Sequence, residues 1–249
     1  MIKQDLLLRS VVPAWVLAAG AAFLSPIAWA TGAVYGVALL LLTGWGLRRS
    51  DRPAFGPADW ITFARAVLVG VAAELIADGG RPVLWLAGLV AVALAMDGFD
   101  GKVARRTGTA SEFGARFDME VDAFLILLLC VQVAQGLGLW VLTIGLMRYA
   151  FVAASWVLPW LTAPLYPSMA RKTVAAVQGV VLVVVVSGLL PSWLELAAVG
   201  AALASLVWSF GRDVVWLARQ RVVERRPGRI VELPRAVVRR PPLPGNQAA

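Results

Sequence analysis

The feature that most constrains this chain is a set of uncharged stretches too long for an ordinary soluble core. Residues 173–190, "TVAAVQGVVLVVVVSGLL", are one of them. A helix needs about 20 apolar residues to cross the hydrocarbon of a bilayer, and runs of about 18 or more without charge are spanning candidates. In hydrocarbon every backbone polar group must be paired within the structure, which leaves helices as the form such runs can take. Eight spans can be drawn, at about 10–29, 31–47, 59–77, 82–104, 114–135, 138–160, 172–190 and 193–217. The breaks between them, among them "RRSDRP", "ADGGRP", "LTAPLYPSMARK" and "LPSW", collect Gly, Pro and charge, which end helices. The expectation is an all-α polytopic membrane protein.

Composition agrees and removes several chemistries. Hydrophobic residues make up 60% of the 249, and charged residues only 15%, against about 25% in soluble domains. There is no histidine, so His-based acid–base catalysis, His-ligated zinc and haem are excluded. The single cysteine, Cys130, permits neither an intrachain disulfide nor a thiolate metal cluster. A bound metal would therefore take oxygen ligands, which favours Mg²⁺, Mn²⁺ or Ca²⁺.

The net charge of +8 is explained by orientation rather than by nucleic acid. With the N-terminus inside, 20 of the 23 basic residues fall in inside loops and tails. Arg81 is the one basic residue outside, while Arg65 and Arg148 lie within spans. This bias predicts both termini in the cytoplasm, the inner membrane being the site in a bacterium. The basic start and Ala28-Trp29-Ala30 look like a cleavable leader, but the segment is long enough to span and is read as a span. The end of the chain, basic and Pro-rich, reads as a flexible cytoplasmic extension within reach of anionic lipid.

Against this background residues 95–124, "AMDGFDGKVARRTGTASEFGARFDMEVDAF", are out of place. They hold Asp97, Asp100, Glu112, Asp118, Glu120 and Asp122, out of 15 acidic residues in all. Asp97 and Asp100 are three apart, and Gly114, Asp118 and Asp122 are spaced by four, so each set shares one helix face. Gly101 and Ala104 lie one turn after Asp97 and Asp100 and leave room for close approach. Two helices joined by a short turn would thus present two aspartates each. Like charges at a membrane boundary repel and are costly to bury. A pair of Mg²⁺ ions would neutralise them, and paired divalent ions suit phosphoryl or phosphodiester chemistry. Glu112 and Glu120 fall off the Asp118/Asp122 stripe and are read as solvated or locally paired. The plainer alternative is a patch of interfacial acids offsetting nearby arginines.

The pattern Asp97-x2-Asp100-Gly101-x2-Ala104-Arg105-x8-Gly114-x3-Asp118-x3-Asp122 is similar to the signature of the CDP-alcohol phosphotransferases at all of its fixed positions. The spans from about 59 to 217 resemble that family's six-helix core. The resemblance implies transfer of a substituted phosphate from a CDP-linked donor, often CDP-diacylglycerol, to an alcohol, with release of CMP. It implies a membrane homodimer that needs two Mg²⁺ or Mn²⁺ ions. It places the metal pair on Asp97, Asp100 and Asp118 with Asp122 contributing, and makes Asp122 the general base. Gly101, Ala104, Arg105 and Gly114 would receive the cytidine diphosphate.

Two further stretches bear on this resemblance. "DWITFAR" is similar to the family's N-x-x-T-x-x-R at Thr62 and Arg65, with Asp59 in place of Asn. Thr62 would then touch the nucleotide or metal site, the plainer reading being a hydroxyl satisfied by its own helix. Asp59 is read as a helix cap. Arg65, inside a span, calls for a partner in the cavity. "LMRYAFV" and "RKTVA" resemble phosphatidylglycerophosphate synthases, where such residues suit a phosphorylated acceptor. Arg148, Arg171 and Lys172 are the acceptor candidates, although Tyr149 and Trp156 depart from that subgroup. The acceptor is expected to be a small polar or phosphorylated alcohol of unassigned identity.

The domain reading is two additional N-terminal transmembrane helices over 1–52, a six-helix catalytic membrane domain over 53–218 and a tail over 219–249. An intramembrane prenyltransferase would need a second Asp-rich loop, which residues 123–249 do not supply. A cation transporter would carry polar groups near the midplane of several spans, whereas here the carboxylates gather at one membrane face.

Overall fold

The computed structural model describes residues 24–49, 57–80, 83–107, 112–166 and 168–224. The described residues form seven α-helices: α1 Pro26–Arg49, α2 Pro57–Ala77, α3 Val83–Thr107, α4 Glu112–Leu137, α5 Leu142–Val157, α6 Met169–Val186 and α7 Ser192–Glu224. Short 3-10 turns at Leu139–Val141 and Pro159–Thr162 flank α5. Five stretches are long and apolar enough to cross a membrane: Pro26–Gly46, Ala58–Ala77, Leu139–Val157, Met169–Val186 and Ser192–Arg221. The chain is an integral membrane protein.

The expected spans at 82–104 and 114–135 are helices, α3 and α4, but they stand outside that set of five. Charge at the end of α3 and the start of α4 shortens their apolar parts, and in α3 it covers only Val83–Asp97. At the N-terminus the structure also differs from expectation. Residues 1–23, most of the first expected span, lie outside the described residues. The expected break near residue 30 is absent, because α1 starts at Pro26 and runs through it. Proline suits a first helical position, having no N–H to leave unpaired. At the far end α7 continues to Glu224, and the rest of the expected tail lies outside the described residues.

Helix α2 is the hub. Of its spanning stretch 61% is buried, against 22% for that of α1. It packs on α1, α3 and α4. Small residues such as Ala66, Ala72 and Ala73 are fully or nearly buried along it and bring backbones close. In lipid the tails outside are as apolar as a leucine core, so small and polar residues mark the contact faces.

Helix α1 shows this inversion well. Its buried positions are Ala28, Gly32, Leu39 and Thr43, while Ile27, Val34, Leu41 and Trp45 face outward. Three contacts fix it to the hub. The Tyr35 hydroxyl donates to the Ala66 carbonyl at 2.7 Å, and the ring stacks on Phe124 at 5.3 Å. The Ser25 backbone N–H donates to Asp78 Oδ1 at 2.9 Å. Gly32 lies against the Glu74 carboxylate so closely that a Cβ there would overlap it.

The remaining helices alternate in direction. Gly145 of α5 crosses α4 so tightly that an added Cβ would sit 2.7 Å from Leu127 Cα. Between α6 and α7, Gln178 Nε2 donates to the Ala202 carbonyl at 2.9 Å. Gly138 makes the tight turn from α4 toward α5 with φ of 96°, a conformation that glycine adopts without steric cost. The alternation brings the start of α2, the end of α3, the starts of α4 and α6 and the end of α7 to one end of the bundle.

Candidate active site

The charged parts of α3 and α4 meet at that end, and Arg65 of α2 reaches into them. Arg65 is fully buried. Its Nη1 donates to Asp97 Oδ1 at 2.5 Å. Its Nη2 donates to Asp118 Oδ1 and lies 3.1 Å from Asp122 Oδ1. Asp97, Asp118 and Asp122 therefore converge on one guanidinium from two helices. One oxygen from each of them falls within 4.8 Å of the others.

The charge balance of this group is unequal. Among the contacts of the described residues, three carboxylates face one guanidinium, so within this group of four the negative charges exceed the positive by two. Two like charges about 4 Å apart repel by about 4 kcal/mol at an effective dielectric of about 20. The carboxylates remain between 31% and 45% exposed, so water relieves part of this. A divalent cation would complete the neutralisation, and carboxylate oxygens are the hard donors that Mg²⁺ and Mn²⁺ prefer. The donor set fits such an ion.

The other expected site residues fall around this group to different degrees. Asp100, Gly101, Ala104 and Arg105 lie on the last turns of α3, where the side chains are outside the described residues. Gly114 is in the first turn of α4, one turn ahead of Asp118. Thr62, one turn before Arg65, is buried at 3% exposure, and its hydroxyl donates to the Ala58 carbonyl at 3.3 Å. Asp59 is also buried and lies in the first turn of α2, where a negative charge suits the helix dipole.

The acceptor candidates do not form one group. Arg148 of α5 is paired with Glu120 of α4, a partner from another helix where the sequence reading has Glu120 solvated or locally paired. Arg171 of α6 lies 3.2 Å from Asp213 of α7 and donates to the Tyr166 carbonyl at 3.0 Å. Lys172 is exposed. Ser168 caps α6, its hydroxyl accepting from the Arg171 backbone N–H at 3.4 Å and from Arg212 Nη2 at 2.9 Å.

Two buried acids escape the sequence reading. Asp213, 5% exposed, is the one acid between Glu195 and Glu224, and that isolation was the available signal. Glu74, 1% exposed, sits inside a span like Arg65, and the same reasoning that singles out Arg65 applies to it.

The profile of the CDP-alcohol phosphatidyltransferases matches residues 56–208, from just before α2 into α7. The chain belongs to the CDP-alcohol phosphatidyltransferase family. No curated protein and no solved structure matches it. Membership makes this chain a membrane transferase of phospholipid synthesis that takes its group from a CDP-alcohol donor. The family is metal-dependent, and Asp97, Asp118 and Asp122 form a cluster that can hold a metal. In this CDP-alcohol phosphatidyltransferase the cluster lies inside the matched segment, while α1 lies ahead of it.

Proposed function

We propose that this transferase moves a phosphatidyl group from CDP-diacylglycerol to a small polar or phosphorylated alcohol, releasing CMP. The observation that carries the reading is the convergence of Asp97, Asp118 and Asp122 on Arg65 at one end of the bundle. With Asp100, these aspartates would hold two Mg²⁺ or Mn²⁺ ions, which would supply positive charge opposite the pyrophosphate and the departing CMP. Asp122 accepts the proton of the acceptor hydroxyl as its oxygen bonds to the phosphatidyl phosphorus. The bond from that phosphorus to the CMP oxygen breaks, and CMP leaves with the electron pair.

Arg65 keeps the carboxylates aimed at a common point by pairing with all three. Gly101, Ala104 and Gly114 leave space for the cytidine diphosphate, and Arg105 offers it a planar fork of donors. Thr62, one turn before Arg65, touches the nucleotide or metal site. Arg171 and Lys172 are the residues for a negatively charged acceptor, and Arg148, apart from them, takes part only by giving up Glu120.

The same reading takes residues 53–218 as a six-helix catalytic domain, with two additional helices in 1–52 and a cytoplasmic tail in 219–249, of which residues 219–224 continue α7. It places both termini and the active site on the cytoplasmic side, as the basic residues favour, and assembles the chain as a homodimer. The test is release of CMP from CDP-diacylglycerol by purified protein with Mg²⁺ and a panel of alcohols. EDTA should stop turnover, and Asp122→Asn should abolish it while nucleotide still binds. Full activity of Asp122→Asn would remove its role as base. No turnover by folded protein with any acceptor would remove the donor assignment.

A further inference from the structure

The outer face of α7 carries a groove that the aspartate site does not use. Trp208, Arg212, Trp216 and Arg219 follow one another at spacings of four, four and three, so they form one stripe. Tyr166, from the segment between α5 and α6, closes the groove on one side, and the space enclosed is about 490 Å³. The Tyr166 and Trp216 rings are 5.2 Å apart. The Arg212 guanidinium lies 5.0 Å from the Trp208 ring centre and 5.6 Å from that of Tyr166.

Arg212 is fixed there with part of its side chain still accessible. One Nη holds the Ser168 hydroxyl, and 30% of the side chain remains exposed. Asp213 is the nearest acid, 3.6 Å from Arg212 and 3.2 Å from Arg171. It is turned inward and shared by two arginines. Arg219 adds a further cation, and no residue lining the groove is acidic. The groove is therefore positive, aromatic and open on its outer side.

We propose that this groove binds the headgroup phosphate of an anionic phospholipid in the leaflet at the aspartate end. Its depth supports this occupant, because the spanning stretch of α7 runs to Arg221 and places Arg212, Trp216 and Arg219 in about its last three turns. Trp and Tyr gather at the membrane–water boundary, and basic side chains there attract anionic headgroups. Arg219 lies two turns beyond Arg212, about 10 Å along the axis, so the two long side chains bracket a phosphodiester. Val207 and Val215 expose 52% and 49% of their surface beside it. Acyl chains cover such residues, and a free anion does not.

The experiment is native mass spectrometry of the full chain in detergent, with EDTA present so that metal-held donor does not contribute. Phosphatidylglycerol, phosphatidylcholine and inorganic phosphate are titrated separately. Phosphatidylglycerol should bind more tightly than phosphatidylcholine, and inorganic phosphate should not compete. The exposed Arg219→Gln should weaken phosphatidylglycerol by roughly fivefold, leaving CMP release unchanged, and Arg219→Lys should restore most of the affinity. Equal binding of the two lipids, or undiminished binding to Arg219→Gln, would overturn the proposal. Displacement of the lipid by inorganic phosphate would show a free-anion site and overturn it as well. Neither result touches the assignment of the aspartates, which rests on metal-dependent turnover.

Discussion

Of the three buried ionisable groups on helix α2, Asp59, Arg65 and Glu74, the last two lie nine residues apart, and the structure treats them in opposite ways. Arg65, toward one end, is surrounded by carboxylates from α3 and α4. Glu74, toward the other, lies against Gly32, with its Oε2 unpaired among the described residues. Both are essentially withdrawn from solvent. The difference is in what surrounds them: the Arg65 end opens to water through three partly exposed aspartates, while the Glu74 end is closed by an apolar helix. Burial alone does not mark a reaction centre. An excess of opposite charge with room for a ligand does.

Removing each group should separate the two roles. The largest effect is expected for Arg65→Met, which removes the guanidinium that three carboxylates share. Activity should fall by at least about 100-fold, since orienting charge of this kind is worth several kcal/mol in a transition state. Thermal stability in detergent should drop, and added Mg²⁺ should recover part of it. A variant with normal stability and turnover would break the contrast at its stronger side.

At the other end Glu74→Leu should hold stability level or raise it, because an unsatisfied buried carboxylate is replaced by packing. Gly32→Val in the wild type should destabilise by about 1–3 kcal/mol through overpacking. In the Glu74→Ala background that penalty should largely vanish, and a double-mutant cycle measures the coupling. Additive losses would mean that Gly32 and Glu74 do not share their space.

The smallest effect concerns Asp78, just outside the span. Hydrogen bonds from Ser25, first its hydroxyl and then its backbone N–H, hold this carboxyl below its ordinary value. A depressed folded pKa adds stability above the unfolded value of about 3.9, and that stability is lost as pH falls through the folded value. Asp78→Asn should therefore show a slightly lower melting temperature than wild type at pH 7, with the gap closing as pH falls through the folded value. A gap that persists at low pH would assign the contact to shape rather than charge.

The sequence made the helices legible because hydrophobic length is a one-dimensional property. It made the aspartates legible because Asp118 and Asp122 share a stripe within one helix. Pairings between distant segments were not legible. Arg171 meets Asp213 across 42 residues, and Gly32 meets Glu74 across a loop, and no local spacing announces either. Register is also poorly encoded where a helix is apolar all round, as α1 is on its lipid side. There the informative positions were the small and polar ones: Gly32, Tyr35 and Thr43.

The fit of Gly32 to Glu74 bears on how the chain enters the membrane during synthesis. A helix with a carboxylate near its end is a poor passenger into lipid when it travels alone. Helix α1 precedes α2 in the chain and carries a notch, one hydrogen atom wide at its floor, into which that carboxylate fits. By the time α2 emerges, its awkward residue has a companion waiting. The two helices are then best regarded as one hairpin handed over together, and the helix that lies ahead of the family match serves the one at its centre from birth.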